Sequence, residues 1–296
     1  SGAAKRVDEW SNSLRWRGFD VIHSQDSIYG NVTVTRYGDQ VSMFESGLLM
    51  FTHPDLFSSE ESVHYAMLSH PDPKRVLLIG GGTGGALEEI LKYGVVEVHY
   101  LELDPLVIEL SEPYIRSDDW DPRVSVYNAD GRFWAKRTDH RYDVVIVNLP
   151  EPFTAQLNRF FTQEFYEEVR RILRPVGLLS FRVTSQENYV SDELAQFLAS
   201  IKSTLKMVFE EVRMIPGDTN VFLAATARGV LSTSPSFFVD RLRDRGIETK
   251  YVREYYINSR LSAERVDYLN RRVEEGERRR VNRDLEPISY YYDIVL

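Results

Sequence analysis

The 296-residue chain has no cysteine, which excludes a disulfide scaffold, cysteine-ligated zinc and thiol catalysis. It also lacks any run of about 18 consecutive apolar residues, so nothing in it reads as a membrane-spanning helix. No charged, apolar leader opens it, and Ser1-Gly2-Ala3-Ala4 carries no signal. Positive charge is in deficit. The 36 Lys and Arg face 45 Asp and Glu, a net of −9, which disfavours wholesale nucleic-acid binding and allows a cationic small substrate. His53, His70, His99 and His140 stand apart without metal-ligand spacing, so no metal is expected. No nucleophile elbow and no Ser-His-Asp pattern is present. What remains is ordinary globular composition, 43% apolar and 27% charged, in a chain long enough to bury a sizeable core.

The first 70 residues read as a meander of short antiparallel strands, Val32–Tyr37, Val41–Glu45 and Leu48–Phe51, punctuated by Gly38-Asp39-Gln40 and Ser46-Gly47. A helix is expected over Glu60–Ser69, and His70-Pro71-Asp72-Pro73 marks a seam. Beyond it the pattern changes. Arg75–Ile79 is a continuous apolar run, as in a strand buried on both faces. Strands then alternate with helices through Leu205, implying a mainly parallel sheet. Met207–Met214 and Val221–Thr226 lack an intervening helix and should pair antiparallel. The tail from Pro235 is helical and charged. Residues 240–284 hold 13 Lys and Arg against 10 Asp and Glu, better explained by a salt-bridged helix face than by a polybasic surface. Three units are expected: a β domain over 1–70, an α/β domain over 71–230 and a helical extension over 231–296.

Gly80-Gly81-Gly82-Thr83-Gly84-Gly85 lies between a strand and a helix, where glycines let the backbone approach a ligand and turn sharply. A tight turn alone would also explain it. Glu102 ends the next strand, about 20 residues on, where an acid bonds ribose hydroxyls in nucleotide-binding sheets. Asp130-Gly131 follows the third strand. Either acid alone could be a surface residue; three polar points at consecutive strand ends define a nucleoside crevice. The loop has no Gly-Lys-Ser/Thr ending and no basic residue, so a nucleoside without phosphates, such as S-adenosylmethionine, fits better.

The chain resembles the spermidine synthase (polyamine aminopropyltransferase) family from about Ser27 to Ala227. The likeness rests on Val76–Gly82, Leu101-Glu102-Leu103-Asp104, Asp121–Val124, Asp130-Gly131, Tyr142–Ile146 and Phe160–Tyr166. Asn148–Pro152 with Ala155–Arg159 resembles a subgroup fused to membrane segments, which would make this chain the cytoplasmic part of a membrane protein. The resemblance implies an α/β Rossmann-like S-adenosylmethionine-dependent transferase sheet with a small β-meander domain and a helical tail. It also implies a cytoplasmic homodimer, a donor that is S-adenosylmethionine or its decarboxylated form, a polyamine acceptor, methylthioadenosine as product, and no metal or nucleic acid. Gly80, Gly81, Gly82, Thr83, Gly85, Glu102, Leu103, Asp130 and Gly131 would form the donor site. Glu102 would bond the ribose and Asp130 the adenine amino group, with Leu103 packed on the ring.

The amine-handling positions depart from the family. Thr83 and Asn148 stand where it has Asp, and Glu151 where it has a second Asp. His64-Tyr65 replaces a Tyr-Gln pair and Gly30 a Gln; the loop after Ile215-Pro216 is shorter, with Asp218 near it. Asn148 cannot take a proton near neutral pH. Three readings stay open: a variant aminopropyltransferase with Glu151 as base, a non-catalytic binding domain, or an enzyme of full S-adenosylmethionine by internal cyclisation, lyase chemistry or methyl transfer. For the last, Thr83 and the loop N–H groups would tolerate a carboxylate that an Asp would repel. Tyr290-Tyr291-Tyr292 is expected to anchor the C-terminus.

Overall fold

The computed structural model describes residues 16, 18–115, 120–152, 154–186, 189–276 and 280–289. Its N-terminal sheet has the order β1-β2-β3-β4, with β1 Asp20–Asp26, β2 Asn31–Tyr37, β3 Gln40–Glu45 and β4 Leu48–His53, all antiparallel. The Tyr37/Gln40 and Glu45/Leu48 turns fall where the glycines predicted them. The first strand is not legible in the sequence. Asp-Val-Ile-His-Ser-Gln-Asp is largely exposed and has no apolar alternation; its pairing with β2 makes it a strand.

Helix α1 spans Leu56–Ser69. It starts four residues earlier than its apolar run suggests, because Asp55 caps it by accepting from the Ser58 N–H at 3.0 Å. The large sheet has the order β10-β11-β9-β8-β5-β6-β7. Its strands are β5 Arg75–Ile79, β6 Glu97–Glu102, β7 Val124–Asn128, β8 Tyr142–Val147, β9 Leu173–Thr184, β10 Glu211–Ile215 and β11 Thr219–Ala225. Strands β5 to β9 are parallel where they pair, and β11 joins β9 and β10 antiparallel, the closing pair expected from the missing helix. The connecting helices are α2 Ala86–Leu91, α3 Pro105–Ile115, α4 Gly131–Arg137, α5 Ala155–Asn158, α6 Gln163–Ile172 and α7 Asp192–Lys206; the tail forms α8 Pro235–Asp244, α9 Glu254–Arg260 and α10 Ala263–Glu275. Strand order reverses between β5 and β8, and at such a switch point the crevice opens at the carboxyl ends of the strands. Among the described residues no helix is long and apolar enough to cross a membrane, and the comparisons below give the fused subgroup no support.

The expected seam at residue 70 does not separate two packed units. Val63, Tyr65, Ala66, Met67 and Leu68 of α1 share a core with Val76 and Leu78 of β5 and with Phe238 and Ile257 of the tail. The tail's charges have specific work there. The buried Glu60 carboxylate accepts the backbone N–H groups of Lys250, Tyr251 and Val252 at 2.6, 2.8 and 2.7 Å. Arg245 donates to the carbonyls of Met67, His70 and Pro71, and Arg241 to those of Leu68 and Ser69. Those carbonyls end α1, where cations complement the helix dipole. The helix face proposed for the tail is thus spent on α1 as well as on solvent. The tyrosines at 290–292 lie outside the described residues.

Removing the Glu60 carboxylate strands three N–H donors at once, that of the buried Val252 among them. Glu60→Ala is expected to lower unfolding stability by about 3 kcal/mol in urea titration. A loss below about 0.5 kcal/mol would contradict the locking role.

Candidate active site

Two neighbouring cavities of about 160 Å³ each open at the switch point. Between them runs the glycine loop, which leaves the sheet as a continuation of it: the Gly80 N–H donates to Leu101 O and the Asn148 N–H to Ile79 O, both at 2.9 Å. Gly80 and Gly81 then take φ of 73° and 64°, a region open to glycine. A Cβ on Gly80 would overlap Leu149, and one on Gly81 the Asn148 carboxamide. The loop is glycine-rich because it lies directly against the residues that follow β8.

The first cavity holds most of the expected donor residues: Gly80, Glu102, Leu103, Asp130 and Gly131 all line it. Ile79, Leu101, Leu149, Leu157 and Phe160 make its walls apolar, and Tyr29, Glu45, Leu48 and Met50 of the N-terminal sheet cover it. Glu102 is 5% exposed. Its Oε2 accepts the Tyr100 hydroxyl and its Oε1 the Leu103 N–H, both at 2.9 Å. Burial outweighs these bonds and raises its pKa to about 7. Asp130 caps α4 by accepting the Phe133 N–H at 2.8 Å and is paired with Arg159, the one basic side chain in the lining. That pairing neutralises the cation a phosphate would need. Gly131 is glycine because a Cβ there would meet Ile79.

The second cavity is lined by Gly81, Gly84, Asp55, Ser58, Asn148 and Arg182, among others, and Met50 lines both. Ser59 ties α1 to the loop, its Oγ donating to Gly84 O at 2.9 Å. Arg182, near the end of β9, donates to Ser58 O at 3.1 Å and to Asn148 Oδ1 at 3.2 Å. Desolvation lowers its pKa to about 10, against an opposing pull from Asp55. Sequence reasoning missed Arg182. The only signal was a lone arginine in Leu-Leu-Ser-Phe-Arg-Val-Thr, and nothing in that run says which face it takes. Asp55 and Glu45 were missed for the same reason, since only the fold brings their segments to the crevice.

Several expected residues lie elsewhere. Thr83 is 2% exposed, lies beside the Tyr100 phenol and lines neither cavity, so it is not placed to meet a ligand carboxylate. Gly82 and Gly85 shape the loop from behind: a Cβ would meet the Tyr100 ring at Gly82 and the Ser59 hydroxyl at Gly85. Glu151 accepts the Thr184 N–H and lines neither cavity. Asp218 is exposed in the β10–β11 hairpin, its carbonyl accepting the Ser185 N–H. His64 and Tyr65 are interior. His64 is fully buried between the Tyr93 hydroxyl at 2.7 Å and Glu89 at 2.9 Å, and Tyr65 packs edge-on against Phe238. They are packing residues at the junction of α1, α2 and the tail. Gly30 abuts Ser46 of the covering sheet. Away from the crevice, the fold draws together Glu97, His99 and His140, with ligand atoms within 4.8 Å of one another; two of these histidines looked isolated in the sequence.

A family profile described as the spermine/spermidine synthase domain matches residues 56–228. A polyamine aminopropyltransferase of Oceanobacillus iheyensis is 36% identical over 173 residues, 56% of this chain and 34% of that protein. One of Pyrobaculum calidifontis is 32% identical over 206 residues, 65% of this chain and 70% of that one. A solved spermidine synthase in complex with the transition-state analogue AdoDATO superimposes with a TM-score of 0.71 at 25% identity, covering 86% of this chain and 89% of that one. The spermidine synthase of Thermotoga maritima gives 0.68 at 25% identity, covering 86% and 87%. The chain spans about a third of the length of several curated relatives it matches, 34%, 35% and 32%.

Ribose hydroxyls donate to a carboxylate, so a nucleoside bound here with its ribose at Glu102 would favour the ionised form. With its pKa raised to about 7, affinity for methylthioadenosine should rise about tenfold from pH 6 to pH 8 in calorimetric titration. Glu102→Gln should flatten the profile. A wild-type affinity independent of pH would contradict the assignment.

Proposed function

The chain belongs to the spermine/spermidine synthase family, and from that premise we propose that it takes a sulfonium nucleoside of the S-adenosylmethionine type and transfers the sulfur-linked aminopropyl-type chain to an amine, releasing methylthioadenosine. The observation that carries this reading is Glu102, a buried acid beside a glycine loop, in an apolar slot whose one basic residue is already paired. Such a slot suits an uncharged nucleoside. Glu102 would take the ribose hydroxyls, while Ile79, Leu101, Leu103 and Leu157 would flank the base. Asp130 keeps acceptor capacity for an adenine amino group, since a carboxylate offers about four lone-pair sites.

The reaction is one displacement. The lone pair of a neutral amine forms a bond to the methylene beside sulfur. The carbon–sulfur bond breaks with its electrons passing to sulfur, and neutral methylthioadenosine leaves. The attacking nitrogen, now cationic, sheds its extra proton to water or a carboxylate. The leaving group is already good, so most of the protein's contribution is positioning. Asn148 supplies no base, and Glu151 is engaged by Thr184 outside both cavities. A polyamine as acceptor rests on the family relatives alone. Self-association through the N-terminal sheet belongs to the same reading, supported by the exposed side chains of Ile28, Tyr37 and Leu49.

Mass spectrometry should detect methylthioadenosine when the protein is incubated with S-adenosylmethionine or its decarboxylated form and putrescine or spermidine. Glu102→Gln should lower kcat/KM by about 10- to 100-fold. No methylthioadenosine under any of these conditions would contradict the reading.

A further inference from the structure

We propose that the second cavity is an α-amino-acid subsite in which Arg182 receives a carboxylate and Asp55 an ammonium, so that the sulfonium donor used here retains its carboxylate. The inference rests on the nucleoside reading of the first cavity and names the donor that reading leaves open.

Arg182 is a half-buried cation whose hydrogen bonds go only to neutral oxygens, Ser58 O and Asn148 Oδ1. Its Nε is closed off from solvent and has no hydrogen-bond partner. Among the described residues no carboxylate lies within ion-pair distance of it, although Asp55 is near enough to feel its charge. A guanidinium taken from water without an anion is costly, and a ligand carboxylate resolves that cost with a two-pronged, charge-assisted contact. Asp55 is the one carboxylate lining the same cavity. One of its oxygens caps α1 and the other remains to receive a cation. One positive and one negative side chain facing a small cavity match the ends of a zwitterion. The decarboxylated donor brings only an ammonium to this place, and Arg182 repels it.

The location fits. The second cavity adjoins the nucleoside slot across Gly80 and Gly81 and shares Met50 with it, so a chain on sulfur passes from one to the other. The arrangement also explains Asn148. Its Oδ1 is held by Arg182, and an aspartate there would pair with the guanidinium and close the subsite to an incoming carboxylate. The bonds made and broken are those of the displacement above; the chain that moves carries one more carboxylate.

The test is calorimetric titration of the protein with methylthioadenosine, S-adenosylmethionine and decarboxylated S-adenosylmethionine. The wild type should bind the carboxylated donor at least about tenfold more tightly than the decarboxylated one. Arg182→Gln should lose that preference while keeping its affinity for methylthioadenosine, which has no amino-acid end, and Asn148→Asp should shift the preference the same way. Tighter wild-type binding of the decarboxylated donor would overturn the inference and leave the nucleoside reading standing. Failure of methylthioadenosine to bind the wild type would overturn both. An equal loss of all three ligands in Arg182→Gln would overturn the subsite role, because that is the mark of a structural residue.

Discussion

The site depends on one steric constraint, the direct approach of the glycine loop to the residues after β8. Gly81 must lack a side chain for Asn148 to lie against it, and Gly80 for Leu149. That contact sits where strand order reverses, so it divides the crevice into an apolar cavity on the β6 side and a polar one on the β9 side. A side chain on Gly80 or Gly81 would collide with Leu149 or Asn148 at the boundary between the two. The sequence conveys the constraint because glycine clusters between a buried strand and a helix have few other uses.

The two compartments are chemically unlike. The first cavity is largely apolar, with Glu102 bonded and Asp130 paired in place. The second cavity is lined by one cation, Arg182, and one acid, Asp55. A diamine needs negative charge to hold it, and in this cavity a single carboxylate, Asp55, is accompanied by the half-buried Arg182. The departures at Thr83, Asn148 and Glu151 therefore differ in kind. Thr83 is withdrawn into the interior, Glu151 faces the end of β9, and Asn148 remains at the cavity, oriented by Arg182.

The lining of the first cavity was legible before the structure because its residues follow strands that the sequence marks plainly. Glu102 and Asp130 end apolar runs, and a parallel sheet puts such ends on one edge. The lining of the second cavity was not legible, since position along the chain does not say where a side chain points. His64 and Tyr65 are on a helix leading to the site, but His64 faces Glu89 and Tyr93, and Tyr65 faces the tail, which supplies Phe238 to pack on it. Asp55 falls between the expected strand and the expected helix; as a cap it sets the start of α1 and lines the cavity. The tail enters the account through α1. Glu60 ties the first turns of the helix, beside Ser58 and Ser59, to the tail, while Arg241 and Arg245 fix its far end. The site's polar wall is thereby tied to a segment beyond the α/β domain.

The most direct test of the account is a crystal structure of the protein grown with methylthioadenosine. The account predicts both ribose hydroxyls on the Glu102 carboxylate, the purine between Leu103 and Leu157 near Asp130, and the thiomethyl group at Met50, facing the cavity of Arg182. A nucleoside bound elsewhere, or one in this slot with its ribose turned away from Glu102, would contradict it.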